Sequence, residues 1–249
     1  MRSRSQCESP CTALHDITRR LVADLRGLRF GPLVACVYNP LEYAAGSYRS
    51  YLDQYARIGV EAVFMGMNPG PWGMAQTGVP FGEVTHVRDW LGIDEPVGQP
   101  ARLHPKRPVA GFACHRREVS GARLWGWVKE TFGMPERFFA RFFIANYCPL
   151  CFMEKSGRNL TPDKLPPRQR ARLLAACDRA LRDTIQVLQP RRIIGIGAFA
   201  EKRARLALAD LDIPIGRIAH PSPASPVANN GWRKRIEGEL KKMGIKLPG

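Results

Sequence analysis

Residues 61–83 read EAVFMGMNPGPWGMAQTGVPFGE. The first part, AVFMGM, is an apolar run of strand length. It ends at Asn68-Pro69-Gly70-Pro71. Pro69 and Pro71 each remove a backbone donor and disfavour helical backbone at the residue before them. The strand therefore stops there, with Asn68 at its carboxyl lip. The glycines that follow let the backbone pass close to a ligand. In open α/β sheets, ligands bind beyond the carboxyl ends of strands. The stretch predicts a strand and then a loop that cups a small, flat object, with Trp72 and Phe81 as ring faces. A tight turn with no ligand is the plainer alternative. Against it, AQTGVPFGE is polar and small, unlike a core run, and long for a structural turn.

Working outward, the same design recurs. Phe142–Asn146 predicts a second strand, closed by Asn146-Tyr147-Cys148-Pro149. Arg192–Ile196 predicts a third. Its Gly195-Ile196-Gly197 invites a dinucleotide reading, but the full G-x-G-x-x-G is absent and so is the context of a helix start. Ile215–Ala219 predicts a fourth strand, running into His220-Pro221-Ser222-Pro223. Helical periodicity marks residues 12–28, 47–58, 82–91, 123–132, 169–188, 202–211 and 230–243. Residues 38–46, 92–120 and 155–168 read as connections. The alternation predicts an α/β fold whose parallel sheet is flanked by helices on both faces. Without a repeat or a boundary, residues 1–249 read as one domain, with residues 1–10 disordered. In a parallel sheet, Asn68, Asn146 and His220 would share one edge. An Asn can pair two adjacent positions of a base edge, and a His can hydrogen-bond a carbonyl that becomes anionic.

Composition narrows the function classes. Lys+Arg is 38 against Asp+Glu 22, a formal net charge of +16. Such a surface concentrates polyanions, nucleic acid above all. The basic clusters at 104–107 and 115–117, beside the motif loop, suit phosphate contacts. No apolar run approaches the roughly 20 residues of a membrane span. The first residues carry no apolar signal-peptide core, so the expectation is a cytoplasmic protein, nucleoid-associated if bacterial. The seven cysteines are irregularly spaced, which argues against a disulfide framework. Cys148 and Cys151 form a C-x-x-C that could be redox-active or half of a metal or iron–sulfur site, with Cys7 and Cys11 as conceivable partners.

GMNPGPWGMAQTGVPFGE, NYCPL and HPSPASPVANNGW closely resemble the single-strand-selective monofunctional uracil-DNA glycosylases, a family of the uracil-DNA glycosylase superfamily. The resemblance runs from about Phe30 to the C-terminus. It implies a three-layer α/β/α fold around a short, mainly parallel sheet. It also implies excision of uracil, and of uracils oxidised at the 5-methyl carbon, from single- and double-stranded DNA, by a monomer without metal or cofactor. Residue by residue, Asn68 matches the position that orients the attacking water, and His220 the imidazole on uracil O2. The Met67 backbone matches a donor to the base, Phe81 the stacked ring and Asn146 the amide on the Watson–Crick edge. Gly70 and Met74 match the wall around the C5 substituent. Ser222, Pro223, Ala224, Ser225, Asn229 and Asn230 fall in the segment that wedges into duplex DNA. The chain departs from the family at Ala224, where an arginine is common, and at Trp72, where a smaller aromatic stands.

The implied chemistry suits these residues. Asn68 cannot ionise, so it orients water without acting as a strong base. The first lysine in the chain is Lys106 and neither motif loop contains one, which argues against a Schiff-base lyase. Two other classes fit part of the pattern: a catalytically silent DNA-binding protein, and an iron–sulfur repair glycosylase using the C-x-x-C.

Overall fold

A computed structural model describes residues 10–248, apart from the side chains of Pro226 and Val227. Its strands are β1 (Cys36–Tyr38), β2 (Ala62–Gly66), β3 (Phe142–Asn146), β4 (Cys151–Met153), β5 (Asn159–Leu160), β6 (Ile193–Ile196) and β7 (Ile215–Ile218). The central sheet has the order β3-β2-β6-β7 and is parallel throughout. Every residue of β2 is buried, as expected of a parallel strand covered on both faces. The chain moves from β2 to β3 at one edge and then returns to the other side of β2 for β6. Such a reversal opens a crevice beyond the carboxyl ends of the strands.

Helices cover both faces, in the three-layer α/β/α arrangement expected from the sequence. The helices Pro10–Arg26 and Pro167–Leu188 pack side by side, and Ala198–Ala207 joins them. Elsewhere Val119–Phe132 meets Trp232–Lys242 through Trp127 and Trp232, edge to face. Aromatic side chains dominate the core beside β3: Phe138, Phe139, Phe142 and Phe143 are fully buried, together with Trp125 and Tyr51. No helix among the described residues is long and apolar enough to cross a membrane.

The structure departs from the sequence expectations in several places. Pro10 opens a helix instead of lying in a disordered tail, and residues 1–9 fall outside the described residues. A second sheet, antiparallel and ordered β1-β4-β5, forms from segments read as connections or left unassigned. Its strands are too short for periodicity to reveal them. The helix expected at 202–211 spans Ala198–Ala207, so Gly197, at φ +91°, does stand at a helix start after β6. The stretch after Pro71, polar and small by composition, is buried without a break from Gly73 to Val84. Its polar side chains are turned inward to serve backbone groups. Gln76 Nε2 donates to Pro71 O (2.8 Å) and Pro108 O (3.0 Å), while its Oε1 accepts from Ala110 N (2.8 Å). Thr77 Oγ1 donates to Gly82 O (3.0 Å). Buried backbone groups need such partners: Thr77 serves the loop's own backbone, and Gln76 ties the loop to the segment 108–110. His104 is another case: it belongs to the expected basic cluster but is buried, its Nε2 bonded to Glu154 O (3.0 Å) and its Nδ1 accepting from Lys106 N (3.1 Å).

Candidate active site

Sheet register brings the three polar strand ends together. Gly66 pairs with Asn146, and Ile196 with Ile218. Asn68 and His220 each stand two residues beyond a paired strand end, so both overhang the same edge as Asn146. The cavity there has a volume of about 450 Å³, and Asn68, Asn146, His220, Phe81 and Met67 all line it.

Each side chain is held in a definite orientation. Asn68 Nδ2 donates to Leu150 O (3.2 Å) and Pro69 O (3.4 Å), which leaves the carbonyl Oδ1 to accept from something else. His220 Nδ1 accepts from Ser222 N (3.0 Å). A nitrogen that accepts from an amide carries no proton, so the neutral ring holds its proton on Nε2. Burial pushes the His220 pKa down to about 4, so the ring is neutral at neutral pH and Nε2–H is a donor. Asn146 Nδ2 donates to Met74 Sδ (3.2 Å), a weak acceptor that a base oxygen would outcompete. The Phe81 ring lies with its centroid 6.2 Å from that of His220. Phe81 has φ +54°, an uncommon conformation for a bulky residue. Such strain persists only where the surroundings enforce it, and here the buried loop does so.

Gly66 shows why the strand must end as it does. A Cβ there would lie 2.4 Å from Asn146 Oδ1 and 2.5 Å from Phe81 Cε2. The amide and the ring thus close over the strand end only because residue 66 has no side chain. Gly70 is covered likewise: a Cβ would lie 2.5 Å from Glu118 Oε2.

Glu118 was not among the residues singled out from the sequence. It caps the Val119–Phe132 helix, its Oε1 accepting from Ser120 N (3.1 Å), and its side chain lines the cavity. Burial holds its carboxyl above the usual carboxylate range. A Glu ahead of Val119-Ser120 is a legible capping signal, but nothing local shows that its other oxygen faces Gly70. Asn159 was also missed. Its Nδ2 donates from the small sheet to Pro69 O (3.4 Å), bracing the motif loop.

The expected wedge residues divide. Ser222 and Pro223 line the cavity, whereas Ala224, Ser225, Asn229 and Asn230 stand beside it, in the turn and the short helix Pro226–Asn229. Arg123 holds this segment, donating to Pro221 O (2.9 Å) and to Asn229 Oδ1 (3.1 Å). Asn229 Nδ2 in turn donates to Pro223 O (2.9 Å). Ala224 is exposed and has no side chain to insert. The C-x-x-C thiols point to different surroundings: Cys148 joins the main core beside Cys177, and Cys151 the smaller cluster with Cys36. Among the described residues, no group of three or more His, Cys, Asp or Glu could hold a metal ion. Cys7 lies outside the described residues.

A parallel sheet with two amides, a neutral imidazole and a buried ring at its carboxyl edge defines a class. A model of the uracil DNA glycosylase superfamily matches residues 52–240, and the chain belongs to that superfamily. Within it, the chain is 50% identical to a Bos taurus single-strand selective monofunctional uracil DNA glycosylase, over 91% of this chain and 84% of that one. It is 49% identical to the protein of the same name from Mus musculus, over 91% of this chain and 82% of that one. These relatives place it in the single-strand selective monofunctional family. The crystal structure of wild-type Pedobacter heparinus SMUG2 shares the fold, with a TM-score of 0.64 at 15% identity, covering 92% of this chain and 97% of that one.

Proposed function

We propose that the chain hydrolyses the N-glycosidic bond of uracil in DNA, leaving an abasic site, and that it does so as a monomeric single domain in the compartment that holds cellular DNA. The observation that carries the mechanism is the bond from Ser222 N to His220 Nδ1, which presents Nε2–H to the cavity. A base inside a duplex is out of reach, so it is extruded, at a cost of a few kcal/mol that is least for unpaired bases. Phe81 stacks on the base and Asn146 takes its Watson–Crick edge. As the bond from C1′ to N1 breaks, its electron pair moves onto the base and positive charge grows on the sugar. His220 Nε2–H and the Met67 amide stabilise the charge on O2, as preorganised donors do for an oxyanion. Water oriented by Asn68 Oδ1 bonds to C1′ and loses its proton to solvent, and the departing base takes up a proton in turn. Among the described residues no lysine lines the cavity, which fits hydrolysis without a lyase step.

Specificity at C5 rests on Gly70, Met74 and Glu118. On this reading Glu118, whose Oε2 lies against Gly70, holds a bound water at C5. A hydroxymethyl group displaces that water and replaces its hydrogen bonds, whereas a methyl strands the partners. A hydrophobic rim alone would discriminate one carbon by only about 1–3 kcal/mol. The test is incubation with single strands carrying uracil, 5-hydroxymethyluracil or thymine, without added metal, followed by alkali cleavage. Uracil and 5-hydroxymethyluracil should be released and thymine retained. No uracil release would overturn the activity. Thymine release equal to that of 5-hydroxymethyluracil would overturn the account of the wall.

A further inference from the structure

Three of the arginines without a carboxylate partner gather beside the cavity. Along the surface, arginines pair with carboxylates: Arg88 with Asp89, Arg179 with Asp24, Arg182 with Asp210 and Arg235 with Glu239. Among the described residues, Arg107, Arg116 and Arg117 form no ion pair, although Glu118 follows them directly in the chain. They gather at the rim of the cavity. The guanidinium carbons of Arg107 and Arg116 lie 5.2 Å and 5.6 Å from the centroid of the Trp72 ring, and Trp72 lines the cavity. Arg107 Nε is buried without a hydrogen-bond partner. Arg117 lines both the cavity and a neighbouring groove that Arg116 and His115 share.

Two like charges against one indole repel each other, and holding them there is productive when an anion lies between or beside them. An indole is the best of the aromatic partners for a cation, and it limits the rotamers of the guanidiniums it holds. We propose that Trp72 braces Arg107 and Arg116 as a clamp for the DNA phosphates flanking the extruded nucleotide, and that the strand leaves the cavity past Arg117 along the neighbouring groove. This rests on the glycosylase reading above. The clamp grips backbone only, so it serves an unpaired strand as readily as a duplex. It draws on other residues than the 222–230 segment, whose Ala224 offers no wedge.

The experiment measures binding of a labelled single strand holding a tetrahydrofuran abasic analogue, across a salt series, so no excision is involved. Each phosphate contact contributes a slope of about −0.7 to log K against log salt on single strands. Arg107→Ala with Arg116→Ala should flatten the slope by about 1.4 and weaken binding about tenfold at physiological salt. Trp72→Leu should weaken binding several-fold, and Trp72→Phe should recover most of the loss. Thermal melts of each variant identify any that fails to fold. Arg49→Ala, an exposed arginine lining neither cavity nor groove, is the control for bulk charge and should leave the slope unchanged. A double variant with the wild-type slope, or an Arg49 variant that loses as much as the pair, would overturn the clamp. The uracil-release assay on wild-type protein decides the glycosylase reading separately.

Discussion

At the scale of single residues, the proposed mechanism rests on two side chains with different duties. Asn68 supplies an acceptor to water, so Asn68→Ala should leave binding to an abasic-analogue strand nearly intact. Single-turnover excision should fall by orders of magnitude, because positioning alone is lost. A single-turnover rate equal to wild type would remove that role from Asn68. His220 supplies a donor to the leaving base, and His220→Ala should cost roughly 10²–10³-fold in the chemical step. Bases that are better leaving groups should suffer less, which a series of 5-halogenated uracils would reveal. The pH dependence follows from its burial. Its folded pKa is lowered from 6.5 to about 4, so the folded protein carries fewer protons than the unfolded chain between those values. Stability therefore falls as pH drops through that window, and the His220→Ala variant should lose less over it. The excision rate should show no His220 inflection near pH 6.5. A His220-dependent break there would mean that the imidazole is not neutralised by burial.

At the scale of elements, the loop after β2 is tied down by its own polar side chains, Thr77 within the loop and Gln76 to the segment 108–110. Gln76→Ala would orphan Pro71 O, Pro108 O and Ala110 N at once. Pro108 and Ala110 are exposed, so water replaces part of what is lost, and a loss of about 1–3 kcal/mol is expected by denaturant titration. Hydrogen exchange should rise within residues 70–83 before it rises in β2 and β3. Uniform exchange across the sheet would instead make the loop one unit with the core. This element also shows the limit of reading composition. The stretch is polar, so burial was not expected, yet the same polar residues are what make its burial affordable. The strand ahead of it was legible because an apolar run broken by Pro69 and Pro71 allows little else.

At the scale of the whole molecule, the fold gathers no group of three or more His, Cys, Asp or Glu among the described residues that could hold a metal ion. Cys148 touches Cys177 in the main core, and Cys151 lies with Cys36 in the other cluster. Purified protein should therefore be colourless and retain its excision rate after chelator treatment, and Cys151→Ser should remain active. Stoichiometric iron or zinc, with activity lost on its removal, would restore the C-x-x-C to a functional role.

Much of this architecture is written locally. Apolar runs of strand length, each stopped by a proline-shaped turn, dictate strands with polar lips. Their alternation with amphipathic helices dictates a parallel sheet with those lips on one edge. Asn68, Asn146 and His220 were legible for that reason, since each sits where its own strand ends. The tertiary structure alone decided the rest, because the deciding contacts join segments far apart in the chain. Glu118 meets Gly70, Asn159 braces Pro69, and Arg123 holds the segment around Asn229, each by packing that no local pattern encodes. The short antiparallel sheet belongs here too, since its strands are stable only as partners. So does the neutral state of His220, because burial is a property of everything around the ring and not of the ring's own neighbours in sequence.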